Sequence, residues 1–167
     1  MPSFCRTAAL IIAVLPPALA GAQGQSSEAA VVISGAVATP MTVTARDIKT
    51  MPRTTVTLNE EGRDVKYEGV LVGELLKRAG APLGRDLTGA AVATYVVAGA
   101  KDGYRAVFSL AELDPAFTGS EIIVADTVDG KPLFDYQGPL RIVAPRDRRG
   151  ARGVRMLQTL EVVRLPK

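Results

Sequence analysis

Apolar residues recur along this chain in two rhythms. Over most of it they alternate with polar residues or gather in short β-branched runs. Such runs cover residues 30–34, 41–44, 54–58, 63–67, 92–98, 104–108, 121–126, 140–144 and 160–164. Most of them are flanked by Gly, Pro, Asn or Asp, and each predicts a strand. Over residues 69–79 the rhythm changes. Val72, Leu75, Leu76 and Ala79 stand at i, i+3, i+4 and i+7 and make one apolar stripe, which predicts the main helix. Gly69 is expected to open that helix and Gly80 to stop it, with Pro82 just beyond.

The punctuation between these segments is specific. Asn59-Glu60-Glu61-Gly62 separates two alternating runs and predicts a hairpin turn. Thr44 can cap a helical turn over 45–49 that ends before Pro52. Ser109-Leu110-Ala111-Glu112 fits a capping box, and the short helix it starts ends before Pro115. Many short strands, one main helix and no internal repeat make a β-rich α+β domain.

The N-terminus follows neither rhythm. Arg6 precedes an apolar core over residues 8–15, and small residues at 18–22 have cleavage spacing. Residues 1–22 therefore read as a signal peptide, 23–29 as a flexible lead-in and 30–167 as the folded domain. The expected location is periplasmic or secreted, with no membrane span after signal removal. The single cysteine, Cys5, would leave with the signal. A mature domain of about 145 residues must then be held by its core alone. The chain has no histidine, which excludes a Ser-His-Asp triad, a Cys-His pair and a histidine metal site.

Charge adds an asymmetry. The formal net charge is +3, yet residues 141–167 hold eight basic side chains against two acidic ones. Arg146, Arg148, Arg149, Arg152 and Arg155 lie within ten positions, and arginine's planar fork of donors suits phosphate and carboxylate. The patch predicts an anionic partner. With so few aromatics, nucleic acid is not expected. Arg105 is a further candidate at a cleft mouth. Strand alternation puts it on the face opposite Tyr104, which is expected in the core. Asp126, Asp129 and Asp135 lack the alternation of a calcium loop and read as turn residues, Ser109 as a cap, and Glu60-Glu61 as solvated carboxylates; no metal site is expected.

A series of motifs runs from Tyr67-Glu68-Gly69-Val70 and the helix after it, through Asp102-Gly103-Tyr104-Arg105 and Ser109-Leu110-Ala111-Glu112. It continues with Asp129-Gly130-Lys131-Pro132-Leu133, Gly138-Pro139-Leu140-Arg141-Ile142-Val143-Ala144-Pro145, the basic loop and Leu160-Glu161-Val162-Val163. In this order the motifs resemble the molybdopterin-binding domain of the sulfite oxidase family. The resemblance implies a sulfite oxidase-type fold with a cleft for a pterin cofactor. It places the basic loop, with Arg146, Arg148, Arg149 and Arg152, near the cofactor's phosphate end. In catalytic members a cysteine on the segment before Tyr67 binds the molybdenum; here that segment reads Asn59-Glu60-Glu61-Gly62-Arg63. The chain is therefore expected to be an exported binding module for an anionic small molecule or protein partner, without redox turnover or bound cofactor. The alternatives are a molybdopterin-dependent oxidoreductase with a non-cysteine metal ligand, and a structural interaction domain.

Overall fold

The structure, a computed structural model, describes residues 30–134 and 136–166. The expected signal peptide and lead-in, and Asp135, lie outside the described residues.

Among the described residues, ten strands form two five-stranded sheets. The first sheet holds β1 (Ala30–Gly35), β2 (Met41–Thr44), β5 (Thr94–Ala100), β6 (Arg105–Ser109) and β10 (Leu157–Arg164), in the order β2-β1-β10-β5-β6. All its pairs are antiparallel except β1 with β10. The second sheet is antiparallel. The hairpin β3 (Thr54–Glu60) and β4 (Arg63–Leu71) pairs through β4 with β7 (Ile123–Val128). Two short strands then share the far edge of β7 end to end, β8 (Lys131–Pro132) and β9 (Arg141–Val143).

The main core lies between the sheets and helix α2 (Val72–Arg78), and it includes Ile33, Leu75, Leu76, Phe108, Val124, Ile142 and Leu160. Alternation along β7 and β9 sends their other side chains to a second, smaller cluster. Ile123, Ala125 and Val143 meet Val56, Val65 and Tyr67 there. Arg141 precedes Val143 by two residues on β9 and so shares that second face.

Local signals placed the caps well. Thr44 caps α1 (Ala45–Thr50), and Ser109 caps α3 (Leu110–Leu113), each in a reciprocal capping box. The Val72, Leu75, Leu76, Ala79 stripe is fully buried. The expected start of the main helix is corrected: Gly69 lies in β4, and α2 begins at Val72. A Cβ on Gly69 would stand 2.0 Å from the Val124 carbonyl oxygen, so glycine is needed where two strands crowd at a register shift. Residues 89–93 are a 3₁₀ turn, and the strand expected from residue 92 starts at Thr94. Among the described residues no helix is long and apolar enough to cross a membrane.

Candidate functional site

The second sheet carries its chemistry at the tip of the β3–β4 hairpin. A cleft of about 750 Å³ opens there between three segments. The hairpin tip contributes Glu60, Glu61 and Arg63. The approach to β9 contributes Tyr136, Gln137 and Arg141, and the basic loop contributes Asp147, Arg148, Gly153 and Arg155. The turn singled out through the family resemblance and the basic loop thus line one cavity, although some ninety positions separate them.

Arg141 is the centre of this cleft. It is 4% exposed, on a strand otherwise made of Ile and Val. Its guanidinium carbon lies 4.7 Å from the centre of the Tyr67 ring. Both its hydrogen bonds leave from Nη1, at 2.8 Å to the Tyr67 hydroxyl and 3.0 Å to Gln137 Oε1. The Tyr67 hydroxyl in turn donates to Glu60 Oε1 at 2.8 Å, and that oxygen lies 3.7 Å from Arg141 Nη1. Burial first, and the bond given to Glu60 second, push the Tyr67 pKa up to about 12, with Arg141 pulling the other way. Tyr67 is therefore a protonated donor at neutral pH. The expectation of a merely solvated Glu60 is corrected: the carboxylate is the nearest counter-charge of a buried arginine.

The other edge of the Arg141 guanidinium is unpaired. Nε is wholly buried and has no hydrogen-bond partner among the described residues. An unpaired buried donor costs about 1–3 kcal/mol. Gly153 borders this edge; a Cβ there would lie 3.3 Å from Nη2 and 3.1 Å from the Gly150 carbonyl oxygen.

The arginines expected to form the site part company. Arg152 packs over the Phe108 ring at 4.8 Å and is held by two carboxylates. Its Nε and Nη2 donate to the two oxygens of Asp147 at 2.9 and 2.7 Å, and Nη1 reaches both oxygens of Glu112 at 3.0 Å. The hydrogen bond to Asp147, and then that to Glu112, bind its proton more tightly than usual. Arg146 donates to the Gly119 carbonyl at 3.0 Å and lines a small hollow with Arg152. Arg148 is exposed on the rim of the main cleft, whereas Arg149 and Arg105 are exposed and outside its lining. Tyr104 is corrected from core to surface: it is 47% exposed, and its hydroxyl donates to the Ala151 carbonyl. Asp126 is not a turn residue but a buried member of β7, paired with Arg53 at 2.6 and 2.9 Å. Burial alone would raise its pKa, but the bonds from Arg53 and Thr127 hold it below the usual carboxylate range. Asp129 does sit in its turn and accepts from the Lys66 N–H.

Arg141 was not among the residues expected to form the site. The available signal was a charge on an inward-facing position of an apolar strand, since a buried charge needs partners. A second cleft, of about 740 Å³, lies between α2, residues 80–86 and the short α4 (Pro115–Thr118). Its buried carboxylate, Asp114, already accepts from the Gly84 and Ala116 N–H groups. Among the described residues no three His, Cys, Asp or Glu side chains gather as a metal set.

Two packed sheets with a cation-lined cleft at one hairpin tip define a binding-cleft α+β domain. The profile described as oxidoreductase molybdopterin binding domain matches residues 21–167, and the chain belongs to that family. No curated protein sequence matches it. Among solved structures it is similar to the sulfane dehydrogenase SoxCD from Paracoccus pantotrophus, with a TM-score of 0.64 and 21% identity. The match covers 80% of this chain but only 37% of that one, so this chain spans well under half of the SoxCD chain it matches. The sulfite oxidase-type fold read from the motifs is the fold observed.

Proposed function

We propose that this domain is an exported module that binds an anionic small molecule in the hairpin-tip cleft without redox turnover. The observation that carries the proposal is the buried Arg141 with an unpaired Nε at the cleft floor, beneath a rim of Arg63, Arg148 and Arg155. Such a site holds its positive charge in place before the ligand arrives, so little reorganisation is needed on binding.

The fit of a metal-bearing pterin divides in two. Arg141, Arg148 and Arg155 suit its anionic end. Its metal end would meet a turn without a thiol, where Glu60 is already engaged by Tyr67 and faces Arg141. These donors do not fit the metal end. Family membership supports the second reading, a molybdopterin-dependent oxidoreductase, which would need a non-cysteine metal ligand.

Thermal shift with phosphate, nucleotides and pterins tests the first reading. A ligand at about 100 times its Kd should add about 2.7 kcal/mol of stability, because only the folded state binds it. Metal analysis and pterin fluorescence on protein taken from its native export route test the second. Stoichiometric molybdenum would replace the binding module with the enzyme.

A further inference from the structure

We infer that the Nε–Nη2 edge of Arg141 is the seat for the carboxylate of a small organic acid. This rests on the anion-binding reading of the cleft and names the ligand class. The two N–H bonds on that edge point the same way and match the spacing of two carboxylate oxygens. The protein contains the completed version of the same arrangement. On Arg152 the Nε and Nη2 groups hold the two oxygens of Asp147, Nη1 holds Glu112, and an aromatic ring lies beneath. On Arg141 the ring is Tyr67, and Nη1 has Tyr67, Gln137 and the nearby Glu60. Only the counterpart of Asp147 is missing, and Gly153, which has no side chain, borders that edge.

Charge narrows the ligand to a monoanion. The cleft lining sets four arginines against three carboxylates, Glu60 among them, and this near-balance suits a monoanion better than a dianion such as a phosphate monoester. The cleft mouth indicates the rest of the molecule. Tyr136 is 60% exposed there, stacked parallel to Phe134 with Arg155 at 5.7 Å from its ring centre. Flat exposed rings of this kind favour a flat, apolar ligand body.

The test follows the arginine Nε–H resonances by proton–nitrogen NMR in the intact domain, titrated with benzoate, acetate and inorganic phosphate at constant ionic strength. Benzoate should move the Arg141 Nε–H downfield and saturate, at lower concentration than acetate or phosphate. Gly153→Ala, whose φ of −74° suits alanine, should weaken benzoate at least about tenfold by narrowing the seat while every charge stays. Arg141→Lys should abolish the effect, since an ammonium has no fork. The titration of the parent protein decides the matter even if a variant fails to fold. Benzoate that shifts other cleft signals but not the Arg141 Nε–H would overturn the seat and leave the anion-binding reading standing. Phosphate that saturates the Arg141 Nε–H below benzoate would overturn the carboxylate class. If none of these anions, and no pterin or nucleotide, perturbs any cleft signal, the anion-binding reading itself falls.

Discussion

Arg152 and Arg141 are two answers to one problem, how a folded domain accommodates a guanidinium against an aromatic ring. Arg152 lies over Phe108, about a third exposed, with every edge of its fork filled by Asp147 and Glu112. Arg141 lies over Tyr67, almost fully buried, with one edge filled and the other unpaired. The better-satisfied arginine is the more exposed one, which is the reverse of what folding stability alone would select. An arginine whose donors are all used ties the basic loop to α3. An arginine with a buried, unused donor is the one the proposed binding reading assigns to a ligand.

The largest effect should come from the ring beneath the satisfied arginine. Phe108 is 1% exposed in the main core, so Phe108→Ala should cost about 3–5 kcal/mol in urea unfolding. Leu76→Ala, in the fully buried stripe of α2, belongs in the range of about 2–5 kcal/mol. A cost under about 1 kcal/mol for either would mean that the packing described here is wrong, and the scaffold side of the comparison would go with it.

The ring beneath the unsatisfied arginine gives a pH signature. The folded-state pKa of Tyr67, about 12, is raised above the usual 10.0. A group whose pKa is raised on folding contributes stability fully below the unfolded value, and loses it as pH rises through the folded value. The window is therefore pH 10 to 12, and the two-unit shift corresponds to about 2–3 kcal/mol. Parent protein should lose that much more stability across the window than Tyr67→Phe. In an absorbance titration, the parent should show a tyrosinate step near pH 12 that the variant lacks. A Tyr67 step near pH 10 would mean that in solution the hydroxyl is neither buried nor bonded to Glu60.

Replacing each arginine by methionine compares the two directly. Arg152→Met should cost about 1–2 kcal/mol, taking two part-exposed ion pairs at about 0.5–1 kcal/mol each. Much of that cost should vanish in 1 M salt, where the Debye length is about 3 Å. Arg141→Met should change stability by no more than about 1 kcal/mol. It gives up bonds to Tyr67 and Gln137, but it also removes a buried charge with an unpaired donor. If Arg141→Met proves the more destabilising, Arg141 is the scaffold and the division is reversed.

Local chemistry was legible in the sequence, and contacts between distant segments were not. The caps at Thr44 and Ser109, the stop at Gly80 and the hairpin each depend on residues a few positions apart, and each is legible in the sequence. Gly69 was misread because its reason for being glycine is the backbone of Val124, which no periodicity reveals. The site failed to appear for the same reason. Arg141 is 74 positions from Tyr67, and its strand reads as plain core. The basic loop was visible as composition, but composition could not tell an arginine captured by Asp147 from one facing a cavity.

The smallest effects concern that loop and separate geometry from mere charge. The sequence points to Arg105, Arg146, Arg148, Arg149 and Arg152 as residues of one anion site. The structure gives Arg152 to two carboxylates, Arg148 to the cleft rim and Arg149 to solvent outside the cleft lining. Arg148→Ala and Arg149→Ala should each change stability by less than about 0.5 kcal/mol, since neither side chain is buried. Their effects on anion binding should differ. Arg148→Ala should weaken benzoate by about two- to fivefold at low salt, the worth of one exposed charge at an open rim, and the loss should fade as salt is added. Arg149→Ala and Arg105→Ala should leave binding within error, because neither guanidinium lines the cavity. A rim that acted only through the summed field of the basic segment would respond equally to removal of any of the three. Equal losses for Arg148→Ala and Arg149→Ala, measured by the same titration, would therefore show that the cleft contributes no geometry beyond Arg141.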